Sequence, residues 1–282
     1  MPLHPWYNGT MPRYAANSSH EVPTTRVRDA HRTVARDELA IEEPLEIRVR
    51  GRAISVTMRT PGHDDELAAG FLLSEGLIAR RDQIVAIEPC ARDGIGNIVN
   101  VFLAADVELD FAQLTRHVFA SSSCGLCGKS TIDSIFQRFD PVESDITIEA
   151  STLLALPEKL RAAQETFART GGLHAAAIFD AAGELLVLRE DIGRHNAVDK
   201  VLGYGLLNGV AVDRHVLLVS GRASFEIMQK ALAARVPIIA AVSAPSSLAV
   251  EFAHESGQTL VGFLRDQRMN IYAHERRINL ES

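Results

Sequence analysis

The sequence predicts an α/β protein in which a three-layer α/β/α domain follows a smaller α+β domain. From Gly171 onward, apolar strands alternate with helical patterns, the order that builds a sheet covered by helices. The strands HVLLV, PIIAAV and TLVGF are almost continuously apolar, which is typical of strands buried on both faces. The 282 residues, 46% of them hydrophobic, suffice for one large or two modest domains.

The first part of the chain is predicted to hold a tail and a hairpin. Residues 1–28 are rich in Pro, Asn, Ser and Thr without hydrophobic periodicity, so we expect a disordered tail there. The α+β domain is expected over residues 29–145. Apolar and polar residues alternate around Gly51, which predicts a β-hairpin with strands at residues 45–49 and 54–58.

A helix is predicted next, because three acidic residues follow Pro61-Gly62 and negative charge favours a helix N-terminus. Gly76 is expected to cap the end of this helix. Its core-facing stripe is Leu67, Phe71 and Leu72. Strands are expected afterwards at residues 83–88 and 97–103.

The α/β/α domain is expected over residues 146–282, after an acidic, turn-rich boundary that begins at Pro141. Its elements are predicted from apolar runs and helical periodicity. In chain order they are a helix at 151–170, strands GLHAAAIFD and ELLVLRED, a helix at 196–207, strand HVLLVSG, a helix at 225–235, strand PIIAAVSA, a helix at 247–256 and a last strand TLVGFLRD.

Composition excludes several classes of protein. The formal net charge of -7 argues against a general nucleic-acid binder. There is no apolar run of about 18 residues or more, so we expect no membrane span. Three cysteines without a secretory signal pattern indicate the reducing cytoplasm, where paired cysteines are more often catalytic or metal-binding than structural.

The order of strands and helices resembles the cytidine-deaminase fold, but the zinc ligands of that fold are absent. There, H-x-E and P-C-x-x-C motifs hold the zinc and the general acid/base. The corresponding positions here are His195-Asn196-Ala197 and the run SGRAS at residues 220–224. Because neither the glutamate nor the cysteines are present, deamination is not expected.

Two strand ends carry small polar residues that open helices, SGRAS and SAPSS. Small residues let a ligand approach the backbone, and helix N-termini attract anions. A phosphate or nucleotide site is therefore predicted there. Its candidate residues are Ser220, Gly221, Arg222, Ser243 and Ser246, with the guanidinium of Arg222 suited to phosphate. The alternative is that Ser224 and Ser246 only cap their helices.

Two neighbouring segments extend this candidate site. The segment REDIGRHNAVDK either holds helix caps and solvated ion pairs, or uses Asp191, Arg194 and His195 to orient a polar ligand. Arg265 and Arg268 are expected in a loop at the end of the last strand, near the same sheet edge, where they would contact an anion.

The segment SSSCGLCGKS contains the pair Cys124 and Cys127 and permits three interpretations. A zinc site needs two more ligands, and the sequence has no second C-x-x-C. A redox pair belongs between a strand and a helix of a βαβ unit, which this segment fits only in part. A sulfur carrier needs an exposed thiolate on a mobile loop, which the glycines and Lys129 of residues 121–129 suit. These residues alone leave all three open.

Several segments together resemble one family. They are EEPLEIRV, TPGHDDELAAGFLLSEG, SSCGLCGKS, GGLHAAA, REDIGRHNAVDKV, SGRASFE, SAPSSLAV and GFLRDQRMNIY. They span residues 42–272 and look like the FdhD/NarQ family of formate dehydrogenase accessory sulfurtransferases.

The resemblance implies a function and a set of site residues. Family members take persulfide sulfur from a cysteine desulfurase on the C-x-x-C. They pass it to the molybdenum or tungsten bis(molybdopterin guanine dinucleotide) cofactor before that cofactor enters formate dehydrogenase. Cys124 would then carry the persulfide, with Cys127 assisting or sharing the sulfur. The cofactor-contact segment of the family corresponds to Phe263, Leu264, Arg265, Asp266, Gln267 and Arg268.

The resemblance also implies partners and an assembly. A guanine nucleotide such as GDP would fit the predicted anion site, with His195 as a further contact. Family members are homodimers with the deaminase-like fold, and no zinc is expected here. Two other hypotheses are a non-catalytic chaperone for the cofactor and a zinc or redox C-x-x-C protein.

Overall fold

The computed structural model describes residues 18–90, 96–109 and 139–280, in which strands and helices form a mixed α/β structure. Its strands are β1 Ser19–Arg28, β2 His31–Ala40, β3 Glu43–Val49, β4 Arg52–Arg59, β5 Ile84–Pro89, β6 Ile98–Leu103, β7 Ile148–Glu149, β8 His174–Phe179, β9 Leu185–Asp191, β10 Val216–Val219, β11 Ile238–Ala241, β12 Thr259–Arg265, β13 Arg268–Ala273 and β14 Ile278–Asn279. Its α-helices are α1 Asp64–Ser74, α2 Ala150–Ala163, α3 Glu165–Thr170, α4 Arg194–Leu207, α5 Phe225–Ala233 and α6 Ser247–Ser256.

The main sheet has the strand order β13-β12-β11-β10-β8-β9. Strands β10, β11 and β12 run parallel, whereas β8 is antiparallel to both β9 and β10. One face carries a hydrophobic core shared with α4, α5 and α6, and the other carries a second core shared with α2. Every side chain of β10 and β11 is therefore buried, which confirms the prediction made from their unbroken apolar runs.

A smaller sheet of order β4-β3-β6-β5 packs on α1 and has its own core. The predicted hairpin is confirmed as β3 and β4, and the predicted helix as α1. Gly76 follows this helix with φ 68, and its N–H bonds to the carbonyl of Leu73, so it acts as the predicted C-terminal cap.

Helix α1 crosses α4 at close range. A Cβ on Gly70 would overlap the carbonyl oxygen of Asp199, and a Cβ on Gly203 would overlap the carbonyl oxygen of Glu66. The two backbones can therefore touch only because both positions are glycine. This crossing joins the smaller sheet to the main one.

The predicted tail is wrong for residues 19–28, which form strand β1 of a hairpin with β2. A two-residue turn at Asp29 and Ala30, with φ 49 and 64, connects the strands. Most side chains of the hairpin are exposed, so the sequence has no apolar face that would reveal it. Residues 1–17 lie outside the described residues.

The single helix predicted at residues 151–170 is two helices that break at Gln164, whose backbone is non-helical. The carboxylate of Glu190 accepts the backbone N–H groups of Thr166 and Phe167 at 2.9 and 2.7 Å. This carboxylate satisfies the free amides at the start of α3, so the second helix can begin anew. No helix in the described residues is both long and apolar enough to cross a membrane.

Candidate functional site

The sheet topology brings the predicted site residues to one edge. Strands β9 to β12 share one direction, so their carboxyl ends meet there, and the antiparallel strand β8 begins there with His174. The residues that follow β10 and β11, the start of α4 and the end of β12 all lie at this edge. We call this polar region the strand-end crevice. Such edges are the usual binding sites of open α/β sheets.

Backbone hydrogen bonds hold the strand ends side by side. The N–H of Ser246 bonds to the carbonyl of Ala223 at 3.0 Å, which joins the turn after β11 to the turn after β10. The N–H of Phe263 bonds to the carbonyl of Ser243 at 3.0 Å, which adds the end of β12. Ser220 pairs with Ala175 in β8, because its Oγ accepts the Ala175 N–H at 2.9 Å. These hydrogen bonds therefore hold the ends of β8, β10, β11 and β12 next to one another.

Two glycines at this edge permit close packing. A Cβ on Gly262 would lie 2.7 Å from Pro245 Cδ, so only glycine fits beneath the turn after β11. A Cβ on Gly221 would lie 3.4 Å from His174 Nδ1, so the turn after β10 rests against the His174 ring. No local sequence pattern marks His174 as a site residue, and the direction of β8 places it here.

The two helix-start serines differ. Ser246 caps α6, since its Oγ accepts the Ala249 N–H at 3.2 Å. Ser224 stands at the N-cap of α5 but makes no side-chain cap. Instead its Oγ lies 3.2 Å from His195 Nε2. Ser246 therefore caps its helix and Ser224 does not, and the binding role predicted for Ser246 stays a prediction.

The environment of His195 keeps its ring uncharged at neutral pH. Burial first, and then the positive charges of Arg194 and Lys230, lower the pKa of His195 to about 4, against the opposing effect of Glu226. Ser224 and Glu226 both approach Nε2, the carboxylate at 3.8 Å. This is not a hydrolytic triad, in which serine and acid contact opposite ring nitrogens.

His174 and Arg194 complete the group of polar side chains at this end of the crevice. Burial, and then the charge of Arg194, lower the pKa of His174, against the effect of Asp191. The Nε of Arg194 is enclosed by the protein and has no hydrogen-bond partner among the described residues. The guanidinium of Arg194 therefore lies near the imidazole rings of His174 and His195, whose pKa values it helps to lower.

Asp191 lies beneath the crevice rather than in it. Its side chain is fully buried, and its Oδ2 pairs with Lys200 Nζ at 2.7 Å. Its Oδ1 accepts the Gly193 N–H at 2.8 Å and the Asn196 side-chain N–H at 3.0 Å. Both oxygens are occupied by protein donors, so Asp191 supports the start of α4 and does not orient a ligand.

The segment predicted as a loop after the last strand is a hairpin, β12 to β13. Asp266 and Gln267 form its two-residue turn with φ 53 and 54. Arg265 and Arg268 face each other across this turn, with nitrogens 3.9 and 3.6 Å from the Asp266 carboxylate. The side chain of Leu264 is fully buried in the core, unlike its predicted role in binding.

The remaining predicted residues can be placed only in part. Ser220, Gly221, Arg222, Ser243 and Phe263 lie at the crevice, with Arg222 exposed. Cys124 and Cys127 lie outside the described residues. No three His, Cys, Asp or Glu side chains within the described ranges converge as a metal site. The prediction that the cysteine pair binds no zinc stays a prediction.

The fold is that of a mixed α/β protein with a polar strand-end crevice. Comparisons with known proteins identify its family. A model of the FdhD/NarQ family matches residues 40–279. The chain is 52% identical over 268 residues to the sulfur carrier protein FdhD of Mycolicibacterium paratuberculosis, covering 90% of this chain and 98% of that protein. It is 52% identical to the protein of the same name from Streptomyces avermitilis, covering 91% and 94%. The chain belongs to the FdhD/NarQ family.

A solved structure shares the fold. The crystal structure of a putative formate dehydrogenase accessory protein from Desulfotalea psychrophila matches with a TM-score of 0.76 at 27% identity, covering 93% of this chain and 100% of that one. The family resemblance seen in the sequence motifs is therefore confirmed.

Proposed function

We propose that this chain is a sulfur carrier that serves a formate dehydrogenase. The observation that carries the proposal is the match of nearly the whole chain to relatives named sulfur carrier protein FdhD. Cys124 and Cys127 lie inside the range that the family model matches. The sulfur donor is a cysteine desulfurase, and the acceptor is the bis(molybdopterin guanine dinucleotide) cofactor of molybdenum or tungsten.

The first step is an exchange between thiolates. The Cys124 thiolate attacks the terminal sulfur of the desulfurase persulfide, a new S–S bond forms on Cys124, and the old S–S bond breaks. The desulfurase cysteine leaves as a thiolate, so no electrons are gained or lost overall. Cys124 then carries one additional sulfur as a persulfide.

The second step releases that sulfur in reduced form. The Cys127 thiolate attacks the Cys124 Sγ, and the terminal sulfur leaves with the bonding electron pair as hydrosulfide, ready to bind the metal of the substrate cofactor. The two cysteines end as a disulfide, and a thiol reductant of the cell restores the dithiol. This division of labour gives Cys124 and Cys127 different roles.

The strand-end crevice supports binding of the cofactor. The substrate carries two nucleotide diphosphates, which favour helix N-termini and arginine side chains. The crevice offers Arg222, Arg265 and Arg268 beside small, closely packed turns. The strand order with one antiparallel strand next to β9 also supports the deaminase-like class inferred from the sequence. A cytoplasmic homodimer fits this proposal.

The decisive experiment detects the persulfide itself. The protein is incubated with a cysteine desulfurase and cysteine, digested, and analysed by mass spectrometry. We expect the mass of one added sulfur atom on the peptide containing Cys124, and its loss in Cys124→Ala. Addition to no cysteine peptide would contradict the proposal. Cys90→Ala serves as the control, because Cys90 belongs to strand-pairing backbone outside the C-x-x-C and should leave the loading unchanged.

A second test separates a carrier from a chaperone that only binds the cofactor. The double variant Cys124→Ala, Cys127→Ala is expected to abolish formate dehydrogenase activity in cells that lack the native gene. Full activity in these cells would instead mean that the chain delivers the cofactor without carrying sulfur.

A further inference from the structure

The smaller sheet presents an apolar face to solvent. Its inner face packs on α1 through the core that contains Leu45 and Ile47. The strand register places Val56, Met58 and Phe102 on the opposite face, where their side chains are 58, 46 and 47% exposed. A solvated sheet face ordinarily carries polar side chains. Exposed apolar side chains gathered on one face instead indicate a contact surface.

We call this surface the outer face, and its layout suits a narrow partner. Met58 pairs with the exposed Pro44 at one corner, and Val56 pairs with Glu46 two residues earlier on β4. Glu46 forms an ion pair with Arg48 in the middle of the face, and both side chains are partly exposed. The broad surface of a second copy would bury this ion pair at a cost in desolvation. A single segment of chain can cover the apolar side chains and leave the ion pair in water.

The part of the chain before the described residues starts beside the outer face. The carbonyl of Ser18, the first described residue, accepts the N–H of Ile41 at 2.9 Å. Pro44 follows Ile41 by three residues and therefore lies within about 10 Å of it. Residues 1–17 can reach about 55 Å when extended, whereas a strand as long as β4 spans about 25 Å. They are therefore near enough and long enough to cross the outer face.

The composition of residues 1–17 suits an apolar surface. They include Trp6, the one tryptophan of the chain, and two of its four tyrosines, Tyr7 and Tyr14. Tryptophan and tyrosine supply a large contact area at a low cost in side-chain entropy, and they are frequent anchors of protein contacts. The segment also carries Arg13 and no acidic residue, in a chain whose net charge is -7. Its charge therefore favours contact with the rest of the chain.

We propose that residues 1–17 dock on the outer face of the smaller sheet, with their aromatic side chains against Val56 and Met58. The carbonyl of Met58 accepts the side-chain N–H of Asn196 in α4 at 2.7 Å, so the covered strand is also the one that supports the start of α4. Residues 1–17 precede the range 40–279 that the family model matches, so this contact goes beyond the proposed function.

The fluorescence of Trp6 tests this contact in the full chain without any label. We expect the emission maximum of the folded protein to lie at shorter wavelength than in urea, and acrylamide to quench it less. Val56→Glu and Met58→Glu each place a charge on the outer face and should move both readings towards their values in urea. Val34→Glu is the matched control, because Val34 is 88% exposed on β2 and should leave Trp6 unchanged. Circular dichroism verifies that each variant is folded.

Binding of the dye ANS tests the same contact from the side of the sheet. The double variant Trp6→Ala, Tyr7→Ala should uncover the outer face and raise the fluorescence of the dye, which binds exposed apolar surface. The double variant Asn8→Ala, Thr10→Ala changes polar residues of the same segment and should leave dye binding unchanged.

Three outcomes would overturn the inference. The first is a Trp6 emission that is the same in the folded protein and in urea. The second is shielding of Trp6 that survives both Val56→Glu and Met58→Glu, because the segment would then dock elsewhere. The third is shielding that appears only as the chains associate, followed by light scattering across protein concentrations, because a second copy would then cover the outer face.

Discussion

At the scale of single residues, a buried ion pair supports the start of α4. Asp191 and Lys200 form a fully buried pair. Lys200 also donates to the Thr60 carbonyl at 2.9 Å, and the Thr60 N–H donates to Asp191 at 3.2 Å. The pair therefore fixes the end of β4 beneath the start of α4, on which His195 and Arg194 stand.

Removing one member of this pair should cost much of the stability. Asp191→Asn leaves Lys200 charged, buried and without its counter-ion, so we expect a loss of about 3–5 kcal/mol in the free energy of unfolding. Urea denaturation measures it. Asp37→Asn, the same change at the half-exposed pair with Arg26, should cost about 1 kcal/mol or less. Equal effects of both substitutions would show that Asp191 is not a buried support.

His195 predicts a pH dependence with a definite sign. Its pKa is about 4 in the folded protein and near 6.5 when unfolded, so between these values the unfolded chain binds more protons. Its contribution to stability is therefore present above pH 6.5 and is lost as the pH falls towards 4.

The check compares unfolding of the unaltered protein and of His195→Gln across pH. Allowing for partial solvent screening, acidification from pH 6.5 to 4.5 should cost the unaltered protein about 1–2 kcal/mol more than the variant. Above pH 6.5 the difference between the two should be constant. A difference that is flat over the whole range would mean that the ring titrates normally.

At the scale of elements, sequence patterns predict what is local or strongly apolar. Strands β10 and β11 were predictable because both faces are buried, so their residues are apolar without interruption. Helix α6 was predictable because Ser246 caps it through a contact only three residues away. The strands are thus predicted by their own apolar residues, and the helix by a hydrogen bond between residues close in sequence.

Sequence patterns do not predict the bounds of elements that depend on residues distant in the chain. Helix α3 begins anew because Glu190, on another strand, accepts its first amides. Asp266 and Gln267, the turn residues of the β12–β13 hairpin, have positive φ angles although neither is glycine, so the usual sequence signal for such a turn is absent. The proximity of His174 to the charge of Arg194 depends on the direction of β8, which no local sequence pattern predicts.

The crossing of α1 and α4 gives an element-scale prediction. In Gly203→Ala the new methyl group would overlap the Glu66 carbonyl, so the helices must separate and the adjoining cores lose contact. We expect a loss of about 3 kcal/mol in the free energy of unfolding, measured by urea denaturation. Gly172→Ala is the control, since its methyl would lie 3.6 Å from the nearest atom and should change stability by about 1 kcal/mol at most. Similar values for both would contradict the close crossing.

At the scale of the whole molecule, the smaller sheet and the main sheet share one set of buried contacts. Glu66 of α1 pairs with Arg189 of β9 through both oxygens, at 2.6 and 2.7 Å. Lys230 of α5 pairs with Asp199 of α4 at 2.8 Å and also donates to Ser74 at the end of α1. The boundary predicted near residue 145 stays a prediction, but these contacts couple the residues on its two sides.

This coupling predicts that both sheets unfold in one transition. Burial alone would lower the pKa of Lys230, but the Asp199 carboxylate raises it, so the ammonium stays charged and depends on its partner. Lys230→Met leaves the buried Asp199 carboxylate without its counter-ion. It should therefore destabilise the protein by about 3–5 kcal/mol without splitting the transition.

Hydrogen exchange with mass spectrometry resolves the two sheets separately. Amides of β3 and β4 should exchange with the same free energy of opening as those of β10 and β11, because neither sheet can open while α1 remains locked against α4 and α5. In Lys230→Met both values should fall by the same amount. Lys159→Met, at the exposed pair with Glu184, should leave both values unchanged. If the smaller sheet opened at a markedly lower free energy than the main sheet, the buried contacts would not unite them, and the crevice would rest on the main sheet alone.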